Sequence, residues 1–233
     1  MITEPKIKIS DIHELRKKLN EQFDLCDQVM IAQWALKLSK HIFEVANVKT
    51  ENNGTIENGF RINEEWQVGK CRMYDVRQAG FEVHKVAREI KNQIEQICFR
   101  VAGQAIGTGH MKKHGMVASD YAIKIINLMW PGNKQKVEEE RNWQIANLGR
   151  IYDEVERSTE LEEYNAIVLK DNCRLHFDMN SKSQTLMYLS INQMVREIGI
   201  NDIGINVSNW VKIETKTKKN GYCLRDNLGK LKY

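Results

Sequence analysis

The chain has 233 residues, a formal net charge of +4, 42% hydrophobic and 28% charged residues, and only two prolines. Such a length suits one large domain or two small ones, the apolar share is enough for a packed core, and the scarcity of proline excludes collagen-like, polyproline and proline-rich linker architectures. No run approaches the ~18–20 apolar residues of a spanning helix and the first residues lack the apolar stretch of a secretory signal, so a cytoplasmic protein without a membrane partner is expected.

The five cysteines, Cys26, Cys71, Cys98, Cys173 and Cys223, are widely spaced and form no C-x-x-C pair. That fits reduced thiols rather than a disulfide frame or a zinc ribbon. Charge is uneven. Residues 201–233 hold seven Lys/Arg against three Asp/Glu, an excess equal to the net charge of the whole chain. The basic surplus therefore belongs to the C-terminal tail, where lysines on a solvated strand edge are the ordinary reading and nucleic-acid contact the alternative.

In chain order, Ser10 is placed to cap a short helix over 11–20. Val29, Ala32, Leu36, Ile42, Phe43 and Ala46 line one face of a helix over 28–46. The polar stretch 48–59, with Gly54 and Gly59, reads as a loop, and 60–78 as a helical segment weakened by Gly69. Steps of three and four from Val83 through Ile90 and Ile97 to Val101 predict one amphipathic helix over 81–102. Small residues cluster over 102–110, where Gly103 and Gly107 permit a tight helix junction. The spacing G-x-x-x-x-G-K-[ST] is absent, which argues against a phosphate loop.

Further helices are predicted over 108–129, ended by Pro131-Gly132, and over 134–157, whose acidic outer face includes Glu138, Glu139 and Glu140. Beyond an acidic boundary segment at 153–163, residues 167–177 read as a hairpin around Asp171-Asn172, 183–198 as a helix, and 206–226 as a hairpin around Asn220-Gly221. The expected architecture is mainly α: a multi-helix domain over 1–158, then a small α+β region, ββαββ-like, over 159–233.

His110 and His114 are the sharpest candidates for chemistry, because residues four apart on a helix share a face and two imidazoles there can grip a metal. Met111 stands where a zinc protease of the H-E-x-x-H type carries its general base, so that chemistry is excluded. A metal would need more ligands, for which only His84 and Asp120 are near. Structural histidines bonded to neighbouring helices are the plainer reading. Ser119 falls on another face than His114, and Cys98 lies in an apolar stripe as a core residue. Trp34 and Trp143 lie at or near apolar stripes and read as core, though tryptophan is also enriched at binding hot spots.

Four segments carry a resemblance: 34–45 from Trp34; F-x-x-H-x-x-A-R-E from Phe81 to Glu89; A-G-x-A-x-x-T-x-H with a second histidine and Y-A-x-K, over 102–124; and R-x-W-Q from Arg141 to Gln144. Together they resemble the immunity proteins of bacterial polymorphic toxin systems, in the fifth-class immunity-like group, over about residues 28–150. The resemblance implies an all-α domain that binds and neutralises a cognate toxin protein by occlusion, with no catalytic activity and no cofactor. The family-matched positions are Trp34, His84, Arg88, Gly103, Thr108, His110, His114, Tyr121 and Lys124. They either touch the toxin or hold the helices; for most, packing is the physical reading. If the toxin is a nuclease, Glu138, Glu139 and Glu140 are the acidic residues to meet its basic cleft. The ββαββ-like tail lies outside the pattern and is open as a partner-specific surface, a homodimerisation module or an unrelated fused domain. A helical metal-binding protein using His110 and His114, and a nucleic-acid module in the basic tail, are the alternatives.

Overall fold

A computed structural model describes residues 7–49, 54–159, 164–198 and 209–231. The chain forms two compact units, one running to Ile151 and one from Tyr152. The first is helical, with α1 His13–Leu25, α2 Gln28–Val45, α3 Gly54–Gln67, α4 Met73–Glu89, α5 Gln93–Gly107 and α6 His114–Met129. The last helix, α7 Lys134–Thr159, begins in the first unit and ends in the second.

The core is built around α2, α5 and α6. Twelve residues of α2 are buried, Trp34 among them. The helix is capped by the Asp27 carboxylate, which accepts from the Met30 N–H at 2.9 Å. α5 packs on both α4 and α6 and buries Ile97, Cys98, Val101, Ala102, Ala105 and Ile106. The carbonyls at its C-terminal end are satisfied by buried side-chain amides: Gln28 donates to Thr108 O and Asn63 to Ile106 O, both at 2.8 Å. Burial pushes the Cys98 thiol up to about 12, in keeping with its role as a small core residue.

Four helical expectations are corrected. Ser10 does not cap α1; its N–H donates to Asn127 Oδ1 at 2.7 Å and ties the segment before α1 to α6. Residues 54–59 are helix, not loop. Gly59 is there because α3 meets α5: a Cβ would stand 2.4 Å from Ile106 Cδ1. The helix expected over 81–102 breaks at Ile90, and Asn92 restarts it by accepting from the Glu95 N–H at 3.0 Å. Finally, 108–113 is a turn, so that α6 starts only at His114.

The second unit carries an antiparallel sheet of seven strands in the order β3-β2-β6-β5-β4-β1-β7. These are β1 Ala166–Val168, β2 Cys173–His176, β3 Thr185–Leu189, β4 Met194–Glu197, β5 Trp210–Thr215, β6 Asn220–Leu224 and β7 Leu228–Lys230. The helix expected over 183–198 is two strands. Leu186 and Leu189 imitate helical spacing, but Met187, Leu189 and Val195 are the buried residues, alternating as in strands. The unit is therefore not ββαββ-like. The hairpin around Asp171-Asn172 does not form either: β1 pairs with β4 and β7, β2 with β3 and β6. The β5–β6 hairpin does form, but its turn precedes Asn220, which already pairs with Glu214; Lys218 takes the positive φ of 60°. Residues 206–208 of that expectation lie outside the described residues.

Candidate functional site

Three helices converge at the glycine-rich seam of the first unit. Gly80 on α4 faces Gly103 on α5 so closely that a Cβ at Gly80 would lie 3.1 Å from Gly103 O. Gly103 in turn leaves room for the His84 ring, whose Cε1 stands 2.6 Å from where its Cβ would be, and Gly107 receives the His114 ring. Small residues thus let imidazoles from α4 and α6 settle on α5.

The link between them is Gln104, on the one stripe of α5's C-terminal half that is not buried. His114 Nδ1 lies 2.6 Å from Gln104 Oε1, and Gln104 Nε2 lies 3.3 Å from His84 Nε2. These atoms assign the protons: His114 Nδ1–H donates to the amide oxygen, and the amide NH₂ donates to His84 Nε2. His84 then carries its proton on Nδ1, a buried atom without a hydrogen-bond partner among the described residues. Burial, and then the nearby Arg100 and Arg88 charges, bring His84 down to about 4, so the imidazole is neutral at physiological pH. His110 closes the row. Its ring lies 5.1 Å from that of His114, its Nδ1–H donates to Gly107 O at 3.2 Å, and burial lowers its pKa.

His110 lies in the turn before α6, so the pair does not share a helix face as the spacing suggested. Among the described residues no group of three or more His, Cys, Asp or Glu is placed to hold a metal ion. Asp120 and His84 are engaged elsewhere, Asp120 with Arg16 and His84 with Gln104.

The remaining family-matched positions divide by burial. Trp34 is fully buried and its Nε1–H donates to Gln144 O at 3.0 Å. Thr108 is fully buried and its hydroxyl donates to Ala105 O at 2.5 Å. Tyr121 and Lys124 are half-buried on the stripe of α6 that begins at His114, and Arg88 is exposed on α4. His114 therefore belongs to an accessible stripe and not to the buried apolar face of α6.

The expected acidic patch does not hold as a trio. Glu138 and Glu139 are exposed, Glu139 paired with Lys136 at 2.6 Å. Glu140 is only 4% exposed and turns inward, accepting from Gln144 at 2.7 Å and meeting His41 Nε2 at 3.0 Å. His41 also stacks on Trp143, with ring centroids 3.7 Å apart. Helical periodicity explains this: three consecutive residues span about 200° of a helix, so one of them faces the core.

Glu140 opens a buried polar network that spacing alone does not reveal. Arg141 donates to Asp11 at 2.6 Å and, with Gln144, engages Ser119; Arg16 pairs with Asp120. Arg141, Ser119 and Gln144 are fully buried. The only sequence trace of this network is the R-x-W-Q string.

Among the described residues of the basic tail, three cations are paired within the second unit. Lys216 pairs with Glu156 at 2.5 Å, Lys218 with Glu214 and Arg225 with Glu197, while Lys219 is buried.

No helix among the described residues is long and apolar enough to cross a membrane. Neither a curated protein nor a solved structure matches the chain. The family model described as Imm-5 like putative immunity protein matches residues 21–151, more than half of the chain and nearly all of the helical unit, from within α1 into α7, and on that match the chain belongs to this immunity-protein family.

Proposed function

We propose that the protein neutralises a cognate toxin protein by binding it stoichiometrically through the helical unit and occluding its active site, without catalysis of its own, in the cytoplasm. The observation that carries this reading is the family match over 21–151, which falls on the helical unit. Preformed helical surfaces suit it, since pre-organisation spares ordering entropy and such interfaces bury about 1,200–2,000 Å². The test is co-expression with the C-terminal toxin domain encoded by the neighbouring gene. Growth rescue together with a 1:1 complex on size exclusion is expected. Unchanged toxicity with no complex refutes the reading.

A further inference from the structure

The outer stripe of α4 reads Tyr74, Arg77, Phe81, His84 and Arg88, at steps of three and four that place them on one face. It is exposed: Tyr74 is 61% and Phe81 44% accessible. Arg77 Cζ lies 5.2 Å from the centroid of the Phe81 ring and Arg72 Cζ 6.0 Å from that of Tyr74, within cation–π range. Of the acids on α4, Asp75 pairs with Arg72 and Glu82 with Lys85, while Glu89 is exposed beside Arg88. Among the described residues Arg77 and Arg88 have no carboxylate partner. Across the seam, α5 adds Arg100 and α6 adds Tyr121 and Lys124, so the accessible stripes of the three helices carry cations and the imidazoles of His84 and His114 but no acid of their own.

We infer that this α4–α5–α6 face, crossed by the His84–Gln104–His114 chain, is the toxin-binding surface, and that it takes a carboxylate-bearing face of the toxin. The inference rests on the immunity reading above. Arginine beside accessible aromatics is the composition of interface hot spots, and Arg77, over Phe81 and without a carboxylate partner among the described residues, can make bidentate contact with a carboxylate. Cations this sparse, spaced among aromatics, suit a protein partner better than the dense phosphate row of a nucleic acid.

The experiment titrates the toxin domain encoded by the neighbouring gene into wild type, Arg77→Glu/Arg88→Glu, and Glu138→Lys/Glu139→Lys. All four positions are exposed, and thermal melts verify folding. The arginine reversal is expected to weaken binding by about 100-fold or more and the α7 reversal to leave it nearly unchanged. Zero-length carbodiimide cross-linking of the wild-type complex gives a measurement independent of variant folding; Lys124 should join toxin carboxylates. Full binding by the folded arginine variant, or cross-links confined to α7, overturns the inference and leaves the immunity reading standing. A wild type that neither binds nor protects overturns both. Tight binding of a single-stranded RNA oligonucleotide, lost in the arginine variant, overturns the choice of a protein partner.

Discussion

At the scale of single residues, His84 shows how burial and neighbouring charge act together. Half-buried against Gly103, with Arg88 and Arg100 close and Gln104 the one hydrogen-bond partner of its ring among the described residues, it is held neutral with a pKa of about 4. An unfolded histidine titrates near ~6.5. Between those values the unfolded chain binds a proton that the folded chain refuses, so this group makes stability fall as pH drops from about 6.5 to about 4 and contributes nothing above that window. His84→Gln is expected to flatten that part of the stability–pH curve, which thermal melts at stepped pH will measure. An unchanged slope would show that His84 is not so held. Gln104 is the residue that sequence reading missed: a glutamine inside a small-residue string gives no signal until two helices bring imidazoles to both ends of its amide.

At the scale of elements, the buried network of Arg141 joins helices whose order in the chain says nothing of their contact. Its guanidinium reaches Asp11 before α1 and Ser119 and Asp120 on α6. Burial pushes the Asp120 carboxyl up while Arg16 and Arg141 pull it back. Arg141→Met removes one cation from between two acids and leaves Asp11 without its partner. A loss of about 3–5 kcal/mol is expected from urea denaturation, because breaking a buried pair strands a charge. The elements themselves were legible in different degrees. α2, α6 and α7 follow from apolar periodicity, with α6 starting a turn and a half late because 108–113 fold back. The β3–β4 region was misread because a short apolar run fits both periods until its partner strands decide. Gly221 shows the same limit. It sits in β6 because a Cβ would come within 2.6 Å of His176 O on β2, a contact between strands far apart in sequence.

At the scale of the whole molecule, the family match stops at residue 151, where the second unit begins. A chain ending at Thr159, after α7, is therefore expected to keep toxin binding within about threefold of the full chain, as read by calorimetry with the same toxin domain; such a change is under ~1 kcal/mol. Loss of binding in a truncated chain that still melts cooperatively would move the partner surface into the sheet. The sequence by itself determined the helical class of the first unit and the family, because periodicity and motif order are local properties. Only the tertiary structure decided which of the family-matched positions are accessible. It turned Glu140 inward, set Trp34 and Thr108 in the core, paired Lys216 of the basic tail with Glu156, and joined His84, Gln104 and His114 across three helices. The physical reason is that burial and pairing depend on what packs against a residue, and those neighbours lie far away along the chain.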